Sequence, residues 1–273
     1  MSSEITIIMT LFNTPSSKLS NLRQYKKFKL ILFDQNTNGE NKKKLKKELK
    51  FKFQYFYSSK NIGLSKASNF LLSKVKSKYC LFTQPDIEIS QASIKLLHDT
   101  IKNKNDFIFV APKHVRTKSF KKEPEIPKYK IVKKLKAAIM LCNVKKLNKI
   151  GFFDEDFFLY WEDVALMKKI NKLKYKMALV KNASAIHKDS QSSEKNLKTD
   201  FIRVSNYTYG ELLFDYKEKR IRFIKILRKL TQNIIFFFFH IIFFQLKKAL
   251  NNFARLIGTI KFVKYYIYKS FLT

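Results

Sequence analysis

Between residues 5 and 115, short apolar runs rich in Ile, Leu and Phe alternate with segments of helical periodicity, and this alternation constrains the fold more than any other feature. "EITIIMTLFN", "FKLILFDQN", "KFQYFYSS", "KYCLFTQPDIEI" and "DFIFVAPKHV" read as five strands, the first, second and fourth ending in polar or acidic residues. "GLSKASNFLLSKVK" places Leu64, Ala67, Phe70, Leu71 and Val75 at helical spacing, and "SQASIKLLHDTIKN" opens on a Ser cap and reads as a helix. "KKKLKKELK" fits a charged helix or a solvated loop. Strands alternating with helices predict an α/β fold, a mostly parallel sheet flanked by helices. Such sheets bind ligands at the carboxyl ends of their strands. Asn13, Asp34, Asp86 and Glu88 all follow strand ends, so the topology gathers them on one edge.

Residues 116–136 are polar, contain two prolines and read as an irregular excursion. Order returns with a strand, a helix from about Val144, the acidic aromatic loop "GFFDEDFFLYW", a helix from about Glu162 and a strand near 176–180. From Lys217 the composition shifts to 13 Lys plus Arg against one acid, Glu218. At the centre of this stretch lies "IIFFFFHIIFFQL", Ile234 to Leu246. A spanning helix needs roughly 20 apolar residues, so this run suits an interfacial, re-entrant or buried segment instead. The reading is a domain over 1–215, with halves 1–115 and 116–215, followed by a basic amphipathic helical extension over 216–273.

A formal charge of +35 implies an anionic partner: nucleic acid, an anionic membrane surface or a phosphate-bearing substrate. Cys80 and Cys142 lie in apolar runs and are expected to be buried, reduced thiols, which points to the cytosol. No Cys/His spacing suits zinc, and "MSSEITIIMTLFN" lacks the basic and long apolar regions of a signal peptide.

Only 21 of 273 residues are acidic, yet "YWEDVALMKKI" places Glu162 and Asp163 side by side. Carboxylates favour helix N-termini; a general base is the other reading. The order of "MTLFNTP", "FDQN", "NIGLSKASNFLL", "TQPDIEI", "IGFFDEDFFLYWEDVALMKK" and "IHKDSQSS" resembles the glycosyltransferase family 2 enzymes. It is most similar to the rhamnosyltransferase-like branch that builds bacterial surface polysaccharides. The resemblance covers roughly residues 5 to 210. It implies a GT-A fold, with a nucleotide-sugar half over 1–115 and an acceptor half over 116–215. It also implies an inverting transfer from a nucleotide-sugar donor to a glycan or lipid-linked acceptor, at the cytoplasmic face of an anionic membrane.

Residue by residue, the resemblance implies that Thr10, Asn13, Asp34, Asn61, Gly63 and Asp86 contact the nucleotide-sugar. Asp86, Glu88 and His187 stand where the family holds Mg²⁺ or Mn²⁺. Asp163 matches the family's base, with Glu162 as its partner or an acceptor ligand. Asp154 and Glu155 match an acceptor-shaping loop, and Trp161, beside Tyr160, is placed to stack on a sugar. Ala165 and Lys169 depart from the family's pattern, which has an acid and an arginine there. Two other classes compete. A nucleic-acid-binding protein would show a basic stripe with interleaved aromatics in a recognisable module, and none is found. A membrane-surface protein with a degenerate transferase fold would act through its C-terminal segment.

Overall fold

The computed structural model describes residues 1–35, 37–115, 126–187 and 196–271. The chain divides into two compact units, the first formed by residues 1–154 and 163–194, the second by 155–162 and 195–273.

The first unit is built on a sheet. Its strands are β1 (Ile5–Phe12), β2 (Lys29–Gln35), β3 (Gln54–Ser58), β4 (Tyr79–Thr83), β5 (Ile87–Ile89), β6 (Phe107–Val115), β7 (Tyr129–Val132), β8 (Met140–Asn143) and β9 (Lys176–His187). They run in the order β3-β2-β1-β4-β8-β6-β9-β5, with β7 on β9. The block β3-β2-β1-β4 is parallel. Beyond it β8 is antiparallel to both β4 and β6, β6 and β9 are parallel, and β5 and β7 pair antiparallel with β9.

The apolar runs form strands because both sheet faces are covered, so neither set of alternating side chains meets water. Ile7, Met9 and Leu11 share one core with Leu22, Leu45, Leu97 and Ile101, the last three from α2 (Asn41–Leu49) and α4 (Gln91–Lys102). Ile8 points the other way, into a core with Leu71, Leu147, Leu166 and Ile170 from α3 (Leu64–Ser73), α5 (Val144–Ile150) and α6 (Glu162–Lys172). "KKKLKKELK" is therefore a helix, with Leu45 and Leu49 buried. Ser90 caps α4 by accepting from Ser93 N at 3.0 Å, as the sequence predicts.

"KYCLFTQPDIEI" is not one strand. It breaks at Gln84–Asp86, where Pro85 offers no N–H to a ladder, and Ile87 N turns back to Gln84 O at 3.1 Å. Its second part, β5, joins the far end of the sheet. The expected excursion also contains order, since residues 129–132 form β7, while 116–125 lie outside the described residues. Cys80 and Cys142 are free, buried and directly opposite each other on β4 and β8, and burial pushes the Cys80 thiol well up.

The second unit contains α7 (Leu197–Lys217), α8 (Phe223–Ile242) and α9 (Leu246–Ser270), with α7 and α8 each packed on α9. Asn196 caps α7 reciprocally with Thr199. The aromatic run spans the end of α8 and the turn into α9, and most of it is exposed: Ile235 is 65 %, Phe238 59 % and Phe244 89 % accessible. It is not a core helix. No helix among the described residues is long and apolar enough to cross a membrane.

Candidate active site

The parallel order 3-2-1-4 reverses direction between β1 and β4, and a crevice opens at such a switch point outside the carboxyl ends of the strands. Thr10 lies near the end of β1, and Asn13 follows it with a left-handed φ of 44°. Asp34 lies near the end of β2, buried, its Oδ2 accepting from Tyr55 Oη at 2.7 Å and from Asn41 Nδ2 at 2.9 Å. Burial first, then Asp34, pushes the Tyr55 hydroxyl far above its ordinary range, so it stays a donor. Tyr55 and Asn41 orient this carboxylate, and sequence reading missed both because they sit on other elements.

The "NIG" loop is held from two sides. Asn61 Oδ1 accepts from Gly63 N at 3.0 Å, and Gln35 Oε1 accepts from Ile62 N at 2.9 Å. Gly63, at φ 87° and ψ 162°, occupies a region open essentially to glycine alone. It starts α3, whose first amides therefore open at the end of the parallel block. Gln35, buried and one residue beyond Asp34, is a further positioning residue that the motif reading passed over.

Asp86 sits in the break between β4 and β5. Asn21 Nδ2 donates to Pro85 O, and Gln24 brackets β5 by donating to Ile87 O and accepting from Ile89 N. The break thus holds one shape without belonging to a strand. The Asp86 side chain is 1 % exposed, and its Oδ2 lies 3.7 Å from His187 Nε2 at the end of β9. His114 of β6 packs on His187, ring centroids 5.6 Å apart. In the β5–β9 pair, Glu88 stands opposite Ile186 and Ile87 opposite His187. Directly paired residues share a face, and neighbours alternate. Glu88 thus alternates with Ile87 and lies on the other face of the pair from His187. Among the described residues no group of three His, Cys, Asp or Glu side chains stands together as a metal cage.

Asp163 is the second residue of α6. Leu166 and Met167, three and four residues on, are buried in the core beneath the sheet, so Asp163 occupies the same sheet-facing stripe. Burial pushes its carboxyl above the ordinary range, against the hydrogen bond Oδ1 accepts from Val164 N at 2.8 Å. A carboxyl raised by desolvation is the state in which a side chain can serve as a base near neutral pH. Asp154 follows Phe153, whose backbone is clamped by both amide atoms of Asn69 (2.9 and 3.1 Å) and whose ring packs on Phe82 of β4.

Glu155, Trp161 and Glu162 belong to the second unit. Glu155 is exposed and Glu162 buried. Trp161 lies against Tyr207 and Phe214 of α7, centroids 5.7 and 5.4 Å away, so its ring is largely committed to packing. Tyr160 and Trp161 both hold left-handed φ values, 68° and 72°. The last acid of the loop, Asp156, is structural. Burial opposes its charge, but Lys217 Nζ at 2.6 Å and Tyr265 Oη at 2.8 Å hold its carboxyl below the ordinary range.

A sheet with this switch point, covered by helices on both faces, has the architecture of the GT-A fold. The model of the family described as glycosyl transferase family 2 matches residues 7–167, and the chain belongs to that family. No curated protein matches the chain. Among solved structures, GalNAc-T7 with UDP, GalNAc and Mn²⁺ aligns at 12 % identity and TM-score 0.53, over 76 % of this chain and 47 % of that one. The mannosyltransferase PcManGT from Pyrobaculum calidifontis, in complex with GDP-Man and Mn²⁺, aligns at 14 % and 0.53, over 78 % and 64 %. S. aureus TarS residues 1–349 align at 12 % and 0.53, over 94 % and 91 %. The chain therefore spans about half of GalNAc-T7 and under two thirds of PcManGT. At these identities the likeness is one of fold.

Proposed function

We propose that the protein is an inverting glycosyltransferase that moves a hexosyl or rhamnosyl group from a nucleotide-sugar to a glycan or lipid-linked acceptor in surface polysaccharide synthesis. The observation that carries the reading is the position of Asp163 on the sheet-facing stripe of α6, against the sheet whose strand ends carry Asp34 and the Asp86–His187 pair, with burial pushing its carboxyl up. Residues 1–115 form the donor half and 116–215 the acceptor half.

Asp34, held by Tyr55 and Asn41, offers its remaining acceptor capacity to the nucleoside, with Thr10 and Asn13 beside it. The first amides of α3, behind Asn61 and Gly63, face the diphosphate, because a helix N-terminus carries unpaired N–H groups and positive potential. Asp163 accepts the proton of the acceptor hydroxyl as the new C1–O bond forms. The C1–phosphate bond breaks, and its electron pair leaves with the nucleoside diphosphate. The family resemblance assigns Asp154, Glu155, Glu162 and Trp161 to the acceptor side.

A carboxylate oxygen and an imidazole nitrogen 3.7 Å apart fit Mn²⁺ or Mg²⁺, whose other positions are filled by phosphate oxygens and water. Asp86 and His187 would hold the ion, which would neutralise charge on the departing diphosphate. The decisive experiment is a thermal-shift panel of nucleoside diphosphates with and without Mn²⁺, because a ligand of the native state raises its melting temperature. One nucleotide should stand out, with its shift enlarged by Mn²⁺. No shift with any nucleotide would sink the reading.

Exposed apolar and basic side chains of the second unit support attachment of the enzyme to an anionic membrane, at the cytoplasmic face. Ile234, Ile235, Phe238, Ile241 and Ile242 are exposed along α8, and Lys247, Lys248, Lys261 and Lys264 are exposed on α9. The two lysines at the turn oppose insertion tip-first and favour a hairpin lying in the plane of the interface. I235D/F238D should float with anionic liposomes much less than wild type; unchanged flotation would remove the hairpin from that role.

A further inference from the structure

The parallel strands have a second end, remote from the acids, and it is lined with lysine. A cleft of about 700 Å³ opens where β2 and β3 begin and α2 finishes. Its rim carries Lys29, Lys42, Lys46, Lys50 and Lys52, and its floor includes Leu30, Phe51 and Phe53. A neighbouring cleft of about 500 Å³ shares Lys29 and adds Lys27, Lys76 and the hydroxyls of Ser2 and Ser3. Neither lining contains an acid. Glu48, the acid inside α2, is turned to Arg23 at 2.6 Å and leaves the lysines uncompensated.

The spacing of these lysines carries the argument further. Lys42 and Lys46 stand four residues apart as a like-charge pair on one side of α2, and Lys50 follows at its left-handed C-cap. Such pairs weaken a helix rather than strengthen it. The buried stripe, Leu45 and Leu49, suffices to dock the helix, so folding does not require the charges. What they do is raise positive potential around a concave, apolar-floored pocket. A phosphate group carried by an amphiphile fits both parts, with its anion at the ammonium rim and its aliphatic portion against Phe51 and Phe53. A nucleic acid fits less well. The lining holds no arginine for bidentate readout of bases, and the Phe51 and Phe53 rings are half-buried rather than displayed for stacking.

We propose that this lysine cleft is a binding site for the phosphate headgroups of anionic lipids, through which the sheet-bearing unit makes its own contact with a bilayer. The proposal rests on the membrane reading above, but its residues are separate from the hairpin's. A two-signal attachment of this kind is what converts weak membrane affinity into stable anchoring.

The test uses the full chain and vesicles of equimolar phosphatidylcholine and phosphatidylglycerol. K29Q/K42Q/K46Q/K50Q/K52Q should lower partitioning by on the order of 1,000-fold at low salt, each lysine near such a surface contributing about 5-fold. The loss should shrink as salt is raised. I235D/F238D should retain a lysine-dependent fraction, which separates this site from the hairpin. All five lysines are exposed, so the melting temperature of the variant should match wild type. Vesicle binding by the quintuple variant equal to wild type overturns the proposal. So does a selective loss of affinity for pyrophosphate or duplex RNA with vesicle binding intact, which would reassign the cleft to a soluble phosphate or to nucleic acid. Absence of vesicle binding by wild type overturns this proposal and the hairpin reading together, while leaving the nucleotide thermal shifts as a separate test of transferase function.

Discussion

Replacing Gly210 by alanine should damage activity far more than stability, because of what passes over it. The chain enters α6 through Tyr160 and Trp161, both in the left-handed region. For side chains of this size each such conformation costs about 1–3 kcal/mol. The surroundings that hold it come from α7, where Tyr207 and Phe214 flank the Trp161 ring and Gly210 lies between them in sequence. A Cβ on Gly210 would stand 2.9 Å from the Tyr160 carbonyl oxygen and 3.0 Å from Trp161 Cδ1. Restoring an ordinary contact of 3.4 Å needs a retreat of about 0.5 Å (3.4 − 2.9) by the segment leading straight into Glu162 and Asp163.

Alanine gains about 1 kcal/mol of helix propensity over glycine, and overpacking costs about 1–3 kcal/mol. Net destabilisation should therefore be about 1 kcal/mol, a shift of only a few degrees in Tm. Catalysis is less forgiving. A misplacement of 1 Å can cost about 100-fold, so half of that should cost on the order of 10-fold in kcat/KM. Trp161 is the chain's single tryptophan, so its emission reports on this segment without interference. G210A should shift that emission to the red and raise its quenching by acrylamide, with Tm nearly unchanged. If kcat/KM and emission both match wild type, the α7 surface does not position the 160–163 segment and the reasoning fails.

Three further outcomes are expected. D163N should abolish transfer while nucleotide binding survives. Because burial raises the Asp163 carboxyl, the folded state binds its proton more tightly than the unfolded one, so the stability contribution falls as pH rises through the raised pKa. The asparagine variant should thus melt higher than wild type near pH 8 and equal to it near pH 4, where an unperturbed Asp is itself half-protonated; a lower Tm at both pH values would refute the desolvation account. D86A should lose the Mn²⁺-dependent part of nucleoside diphosphate affinity, measured by titration calorimetry, and equal affinity with metal, with chelator and in the variant would remove Asp86 from the metal. G258A should lower Tm strongly, since a Cβ there would stand 2.2 Å from the Ser205 carbonyl oxygen where α9 meets α7; a Tm within a degree of wild type would mean that this crossing yields easily.

How much of this was legible depends on where each element finds its partner. β1, β2, β4 and β6 are buried on both faces and announce themselves as apolar runs, and Ser90 marks its helix through a local hydrogen bond. β5 and β7 did not show, because both exist by pairing with β9, nearly 100 and about 50 residues further on. "YKIV" carries no burial signal, since β7 is exposed along most of its length. The acids were visible as exceptions in a lysine-rich chain. Their supports, Tyr55 and Asn41 on Asp34, Gln24 around β5 and Asn69 on Phe153, were not, because each is a polar residue whose role depends on a neighbour from another element.

The second unit inverts the usual pattern, and the inversion itself is informative. Where α7, α8 and α9 pack, the buried residues include Ser205, Asn206, Thr208, Asn233, Asn252, Gly258 and Thr259. The outward surface of α8 is Ile and Phe. The buried polar side chains carry little penalty, because most bond within their own helix: Asn206 to Ile202 O, Thr208 to Val204 O, Asn233 to Lys229 O, Asn252 to Lys248 O and Thr259 to Arg255 O. These polar residues lie among apolar ones that also join the helices, Leu212, Leu213, Ile226, Ala254 and Phe262. Small residues let the backbones approach closely, as at Gly258 over Ser205. Small and self-satisfied polar residues at helix contacts, with aromatics turned outward, are also features of helices that pack in lipid. In water the same arrangement leaves Ile235, Phe238 and Phe244 exposed with no compensating burial. Apolar surroundings on the outer side of α8, as the proposed membrane attachment would supply, would resolve that conflict.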